Sequence, residues 1–231
     1  MSPAASRVAA LLAPGRPLWM VNPGGASVDA VDMLARAGAQ CLFIDCERTA
    51  VNVESVTALV RTAHSHGMAA VLRSESMQPE VLVRYLDRGI DGLIVPHVET
   101  VAELQAIGEV VRYVTKGERS RIYAVAQIES VPAVENVAAL AACDAVDAFL
   151  IGPNDLSHSL GLAGGTSRPE LKQAVDGVVA TLQRQQRAWG LPGQADSAQA
   201  WAQRGASFLY CTLDQIVRAG FAPLASAFGG R

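Results

Sequence analysis

Two stretches of this chain end an apolar run on a carboxylate. Phe149-Leu-Ile-Gly-Pro-Asn-Asp155 passes through a Gly-Pro turn before its acid, and upstream Ile122-Tyr-Ala-Val-Ala-Gln-Ile-Glu129 finishes the same way. An acid just beyond a buried strand is costly to leave unpaired, so a cation or a hydrogen-bond donor should meet it. Glu129 and Asp155 on neighbouring strands would seat a hard divalent ion through oxygen ligands. Asp45, directly after Cys41-Leu-Phe-Ile44, makes the same demand. Taken alone, Asp155 after Gly152-Pro153 reads equally well as a helix N-cap.

Other polar residues follow the remaining apolar runs: Asn22, then Glu47 and Arg48 beside Asp45, then Arg73, His97, Gln127, Asn154, Gln194, Thr212 and Asp214. Acids from adjacent strands, with Arg48 and Arg73 close by, would form one acidic pocket rimmed by positive charge. His97, in Val-Pro-His-Val, reads first as a rim or packing histidine. His64 and His66 lie near a helix end, where solvated imidazoles suit the dipole. His158 sits on a short rim helix with its role open. Gly161 to Gly165 lacks the lysine and spacing of a phosphate-binding loop and reads as a flexible connection.

The elements that must carry these groups are legible from repetition. Ala35-Arg-Ala-Gly38, His64-Ser-His-Gly67, Leu86-Asp-Arg-Gly89 and Ala202-Gln-Arg-Gly205 each end a helix on a glycine able to turn left-handed, and an apolar run follows at once. The runs are nearly continuous rather than alternating, as in a parallel sheet buried on both faces. Thr100 with Glu103 has capping-box spacing before a helix that turns Val101, Leu104, Ile107, Val111 and Val114 to one side. Ser167 and Glu170 repeat that spacing before a helix from about Pro169 to Arg187, and Pro79 opens one running to Arg88. Strands fall near 17–21, 41–45, 69–72, 92–95, 122–127, 147–151, 189–192 and 207–211. Alternation with helices over this length predicts an α/β fold, a (β/α)8 TIM barrel, with an open doubly wound sheet as the other arrangement. In a barrel the chemistry gathers at the carboxyl ends of the strands.

Composition bounds the rest. A chain of 231 residues, half of them hydrophobic, can bury one large core, and no linker divides it, so residues 1–231 are expected to form a single domain. A net charge of −3 offers nucleic acid no basic surface. The four cysteines (Cys41, Cys46, Cys143, Cys211) lack CxxC spacing and are expected to be reduced, in a cytoplasmic protein. No apolar run is long enough for a membrane span, and the short Val8–Ala13 run is too brief for a secretory signal.

Leu42-Phe-Ile-Asp-Cys-Glu47, Val71-Leu-Arg73, Gly92-Leu-Ile-Val-Pro96, Gln127-Ile-Glu129 and Ile151-Gly-Pro-Asn-Asp-Leu-Ser157, in this order, resemble the HpcH/HpaI family of metal-dependent class II pyruvate aldolases. The resemblance implies a TIM barrel whose last helix is exchanged between subunits of a homo-oligomer, a trimer or hexamer. It implies that Glu129 and Asp155 ligate a divalent ion which chelates a 2-oxo acid, with Mg²⁺ or Mn²⁺ expected and Co²⁺ the third option. Arg73 would face the oxygen that becomes an enolate, and Gln127 would orient its neighbours. Gly152, Pro153, Asn154 and His97 would border the substrate, with backbone N–H groups near Asn154 and Asp155 on its carboxylate. Asp45 and Glu47 would complete the catalytic loop.

Two departures bear on the chemistry. The family usually has Asp-x-Glu-His in the loop after strand two, the histidine taking the 4-hydroxyl proton; here the stretch is Asp45-Cys-Glu-Arg48. A guanidinium stays protonated and cannot be that base. Arg48 could instead clamp a second substrate carboxylate, leaving His97 or a metal-bound water to move the proton. The connection from Tyr113 to Arg121 is also shorter than the family's loop. The expectation is a carbon–carbon lyase working through a pyruvate enolate on an altered substrate. Oxaloacetate decarboxylation, metal-free citrate-type condensation and a non-catalytic dicarboxylate-binding barrel are the alternatives.

Overall fold

The pleat of a strand sends alternate side chains to opposite faces, so each apolar run in this chain feeds two cores. A computed structural model describes residues 6–118, 121–162 and 168–227. The strands are β1 (Leu18–Asn22), β2 (Cys41–Asp45), β3 (Ala69–Arg73), β4 (Gly92–Val95), β5 (Tyr123–Ile128), β6 (Ala148–Ile151), β7 (Ala188–Pro192) and β8 (Phe208–Thr212). All pair in parallel with their sequence neighbours, and β8 closes onto β1, giving the (β/α)8 barrel. Met20, Phe43, Val71, Val125, Leu150 and Phe208 fill the barrel axis. Leu42, Ile44, Leu72, Phe149, Ile151 and Leu209 face out beneath the helices.

The helices alternate with the strands as expected. They are α1 (Arg7–Leu11), α2 (Val28–Arg36), α3 (Val53–Ser65), α4 (Pro79–Leu86), α5 (Val101–Val114), α6 (Val131–Glu135), α7 (Val137–Ala142), α8 (Pro153–Ser159), α9 (Pro169–Arg184), α10 (Ala198–Gln203) and α11 (Leu213–Ser226). Gly38, Gly67, Gly89 and Gly205 all take positive φ at helix ends. Thr100 and Glu103 form the reciprocal capping box. α9 ends at Arg184, earlier than the spacing suggested; Arg168 is its N-cap with no side-chain cap bond, while Ser167 and most of the Gly161–Gly165 stretch lie outside the described residues. Nor are His64 and His66 merely solvated, since each ring nitrogen lies 2.7 Å from an acid, Asp91 and Asp32 respectively.

Both ends of the barrel are finished differently. α1 presses Val8, with Leu11 and Leu12 alongside, into the axial core and stoppers the amino end. Gly190 leaves room for Phe208: a Cβ there would stand 2.3 Å from the Phe208 ring. No described helix is long and apolar enough to cross a membrane. α11 has no buried residues, and Ile216, Val217, Phe221 and Leu224 are exposed along it.

Candidate active site at the carboxyl rim

Period two decides which polar residues enter the barrel mouth. Asn22, Asp45, Arg73 and Gln127 each stand two positions beyond an axial residue: Met20, Phe43, Val71 and Val125. All four are buried. Parallel register sets Asp45 beside Arg73, and the guanidinium forks onto the carboxylate, Nε to Oδ1 at 3.0 Å and Nη2 to Oδ2 at 2.7 Å. Asp45 also accepts from the backbone N–H groups of Glu47 and Arg48 and from Asn22 Nδ2. Burial opposes the Arg73 charge, yet bonding to Asp45 and the field of Glu47 outweigh it and raise the Arg73 pKa. This pair is the fixed centre of the rim.

A second group is built around His97. Its backbone is left-handed at φ 58°, a setting in which histidine is enriched among non-glycine residues. The turn aims the His97 N–H at Glu129 Oε1 (2.7 Å) and brings ring Nδ1 to 2.9 Å from the same oxygen. Ring Nε2 stands 3.1 Å from Glu47 Oε1. Gln127 Nε2 donates to Glu129 Oε2. Gly152 permits this crowding, because a Cβ there would lie 2.9 Å from both Gln127 Nε2 and Glu129 Oε2. Burial raises the Glu129 pKa, the His97 N–H and ring oppose the shift, and the nearby Glu47 and Asp155 charges add to it.

These residues fit a divalent cation. Glu47, His97 and Glu129 each offer one ligand atom, all within 4.8 Å of one another. Gln127 Oε1 and Glu47 Oε2 are buried acceptors with no hydrogen bond among the described residues. Arg73 Nη1 lies 2.9 Å from that Glu47 oxygen but out of line for a hydrogen bond. A buried acceptor without a hydrogen bond costs about 1–3 kcal/mol, which the nearby guanidinium offsets for Glu47 but not for Gln127 Oε1, and a bound cation would satisfy such an oxygen. The donor set, carboxylate with imidazole, is that of a borderline first-row metal as well as a hard one.

Asp155 is engaged elsewhere. It is the third residue of α8, in the helix's first turn, and the N-cap position belongs to Gly152. Its Oδ1 instead lies 2.6 Å from Arg48 Nη2. The two lean over a cavity of about 340 Å³, lined among others by Phe43, Asp45, Arg73 and Gln127, with Gly152, Pro153 and Asn154 along one wall. Thus Arg48 and Asp155 meet at the cavity, whereas Glu47, His97 and Glu129 gather beside it. Thr212 caps α11, Asp214 bonds Arg218 at 2.8 Å, and Gln194 lines a different groove, so these three rim residues stay outside the cavity.

One cavity residue escaped the strand-end reading. Tyr210 lies inside the apolar run of β8 rather than after it, yet it stands two positions past axial Phe208 and so enters the mouth. Its hydroxyl accepts from Asn22 Nδ2 at 3.0 Å. Among the thiols, burial pushes Cys46 up to about 11, which leaves it protonated at neutral pH.

A larger groove, about 850 Å³, runs between α11 and the outer faces of β1 and β8, along Trp19, Val21 and Cys211. The rim acids do not line it, and its apolar walls match a packed helix better than a charged substrate.

Comparisons with known proteins follow the same lines. A family model described as HpcH/HpaI aldolase/citrate lyase matches residues 19–216. The chain is 28% identical to a 5-keto-4-deoxy-D-glucarate aldolase of Klebsiella pneumoniae, over 85% of this chain and 86% of that one. It is 28% identical to a 4-hydroxy-2-oxo-heptane-1,7-dioate aldolase of Salmonella dublin, over 93% and 91%. The crystal structure of an HpcH/HpaI aldolase/citrate lyase family protein from Burkholderia cenocepacia superposes with a TM-score of 0.86 at 23% identity, covering 96% of this chain and 98% of that one. At that identity the superposition speaks for the fold.

Proposed function

This chain belongs to the HpcH/HpaI aldolase/citrate lyase family, an aldolase-type carbon–carbon lyase by that membership, and we propose that it cleaves 2-oxo acids through a pyruvate enolate with a substrate altered from its relatives' own. The observation that carries this reading is the buried Arg73–Asp45 fork opening on the cavity. A guanidinium locked by a carboxylate needs no reorganisation when negative charge develops on the substrate's 2-oxo oxygen.

A divalent ion, Mg²⁺, Mn²⁺ or Co²⁺, held at Glu129 would supply Lewis-acid stabilisation of that same charge. Two sets of residues can complete its seat: Asp155, as the sequence suggests, or Glu47 and His97, as their spacing favours. Gln127 holds Glu129 by hydrogen bond, and Gly152 keeps the approach open. The oxygen-rich seat sits beside the cavity rather than in a hydrophobic slot, which suits a small, charged acid.

Arg48 sets the substrate. It cannot accept a proton, so the hydroxyl-deprotonating half of aldol cleavage is changed. A 2-oxo acid with a second carboxylate could take Arg48 from Asp155 and lose CO₂ without needing a hydroxyl base. Oxaloacetate-type decarboxylation is therefore the specific reading that the Arg48–Asp155 pair favours.

Assembly is part of the proposal. The exposed apolar residues of α11 and the open groove beside it suit exchange of this helix between subunits of a homo-oligomer, trimer or hexamer.

Exchange of the pyruvate methyl protons in deuterated buffer tests the enolate. Wild type with Mn²⁺ should exchange, and Arg73→Ala should abolish it. Absence of exchange with Mg²⁺, Mn²⁺ and Co²⁺ alike would sink the enolate reading.

A further inference from the structure

An enolate formed by carbon–carbon cleavage must receive a proton at carbon, and Arg48, where the resemblance would place a proton-handling histidine, cannot supply it. The cavity itself narrows the replacements. Its charged lining groups are Asp45, Arg48, Arg73 and Asp155. The arginines do not release protons. Asp45 Oδ1 receives Arg73 Nε and two backbone N–H groups, and Oδ2 receives Arg73 Nη2 and Asn22 Nδ2, so neither oxygen is free to carry a proton toward substrate. Asp155 is bound to Arg48. Tyr210 is the lining side chain with a neutral, transferable proton.

Where that proton points follows from Asn22. Its Oδ1 accepts the Gly24 N–H at 2.7 Å, which fixes the amide so that Nδ2 faces Tyr210 and Asp45. The tyrosine oxygen is therefore an acceptor toward Asn22, and its own O–H has no acceptor among the described residues. The ring is held against Phe43, centroids 4.5 Å apart, and Arg73 stands 5.7 Å over the same Phe43 ring. The phenol is thus held on Phe43 and opens on the same cavity as the guanidinium proposed to face the developing enolate.

Resting on the lyase reading above, we propose that the Tyr210 hydroxyl protonates the enolate carbon. The enol C=C pair forms the new C–H bond, the Tyr210 O–H bond breaks, and its pair stays on the phenolate oxygen. Burial and the Asp45 charge hold the Tyr210 hydroxyl above the usual phenol range and so keep its proton in place at rest. The Asn22 N–H and the Arg73 charge offset part of that cost for the transient phenolate until water returns a proton. In reverse, the phenolate takes a methyl proton from bound pyruvate.

The test follows wild type, Tyr210→Phe and Tyr210→3-fluorotyrosine with Mn²⁺, reading oxaloacetate loss, pyruvate methyl exchange in deuterated buffer, and Mn²⁺ and oxalate affinity. Tyr210→Phe keeps the ring on Phe43 and removes the hydroxyl. Exchange should fall about 10²-fold or more, the usual worth of a positioned acid–base group, while oxalate affinity stays within about twofold. The fluorinated side chain, with its more acidic phenol, should move the pH profile of exchange to lower pH; it covers the case in which Tyr210→Phe folds poorly. Exchange by Tyr210→Phe within about threefold of wild type, or an unmoved profile with 3-fluorotyrosine, overturns the assignment to Tyr210 alone. If wild type itself neither cleaves oxaloacetate nor exchanges pyruvate, the enolate reading fails, and the Tyr210 role falls with it.

Discussion

Arg48 Nη2 lies 2.6 Å from Asp155 Oδ1, so an acid expected to serve a metal is held by a cation from the chain itself. Arg48 is 55% exposed and Asp155 32%, which caps the strength of the pair in water.

Removing that internal cation should change metal binding in a defined direction. An exposed pair is worth about 0.2–1 kcal/mol, so Arg48→Met should tighten Mn²⁺ by up to about fivefold. A dicarboxylate that draws Arg48 away should likewise tighten Mn²⁺ in wild type, and Mn²⁺ should tighten the dicarboxylate by the same factor. Asp155→Asn should leave Mn²⁺ affinity nearly unchanged without the dicarboxylate and erase the coupling. Calorimetric titration of Mn²⁺ with and without malonate measures all three; equal coupling in Asp155→Asn and wild type would refute the exchange.

Asp45 carries the structural half of the rim. Its partner Arg73 has an 11% exposed side chain. Asp45→Ala takes both hydrogen bonds of the fork from this nearly buried guanidinium and leaves it Glu47 alone as counter-charge, which makes the full cost of a broken buried pair an upper bound. Loss of one member of such a pair costs about 3–5 kcal/mol. The urea midpoint should fall accordingly, and pyruvate exchange should be lost with it. A stability change under about 1 kcal/mol would mean that water already shares this pair.

Glu129 gives the site a pH dependence. Burial, the largest cause, raises its pKa in the folded chain. The folded state then holds the proton more tightly than the unfolded state, so this contribution to stability is present below the unfolded value and is lost as pH rises through the raised one. Metal-free protein should therefore lose stability across that window, and Glu129→Gln should flatten the loss in thermal melts followed against pH. Because a cation competes with the same proton, Mn²⁺ affinity should fall as pH drops through the raised value.

The surface of α11 predicts an assembly. Phe221 and Leu224 are each 61% exposed on a helix with no buried residue. Phe221→Asp with Leu224→Asp should shift the protein toward monomer in sedimentation velocity while the barrel's circular dichroism persists. An unchanged oligomer would remove the exchanged helix from the proposal.

Much of the architecture was legible because it is local. Left-handed glycines at Gly38, Gly67, Gly89 and Gly205 mark helix ends, and the continuous apolar runs between helices mark strands buried on both faces; together these specify alternation and so the barrel. The rim residues Asp45, Arg73, Gln127 and Glu129 were likewise readable from their position after each run, since period two carries a polar residue into the same column as the axial residue before it. Pairing was not legible. Arg48 and Asp155 are distant in sequence and meet only when β2 and β6 close into one ring, and His97 turns to Glu47 and Glu129 through a left-handed backbone that its neighbours in sequence do not announce. Tyr210 was hidden for a related reason: it stands inside an apolar run rather than after it, and only closure of β8 onto β1 brings it to Asn22. Residue order determines which groups reach the mouth of this barrel, whereas strand register and ring closure determine which of them touch, because contact depends on directions in space that no single segment contains.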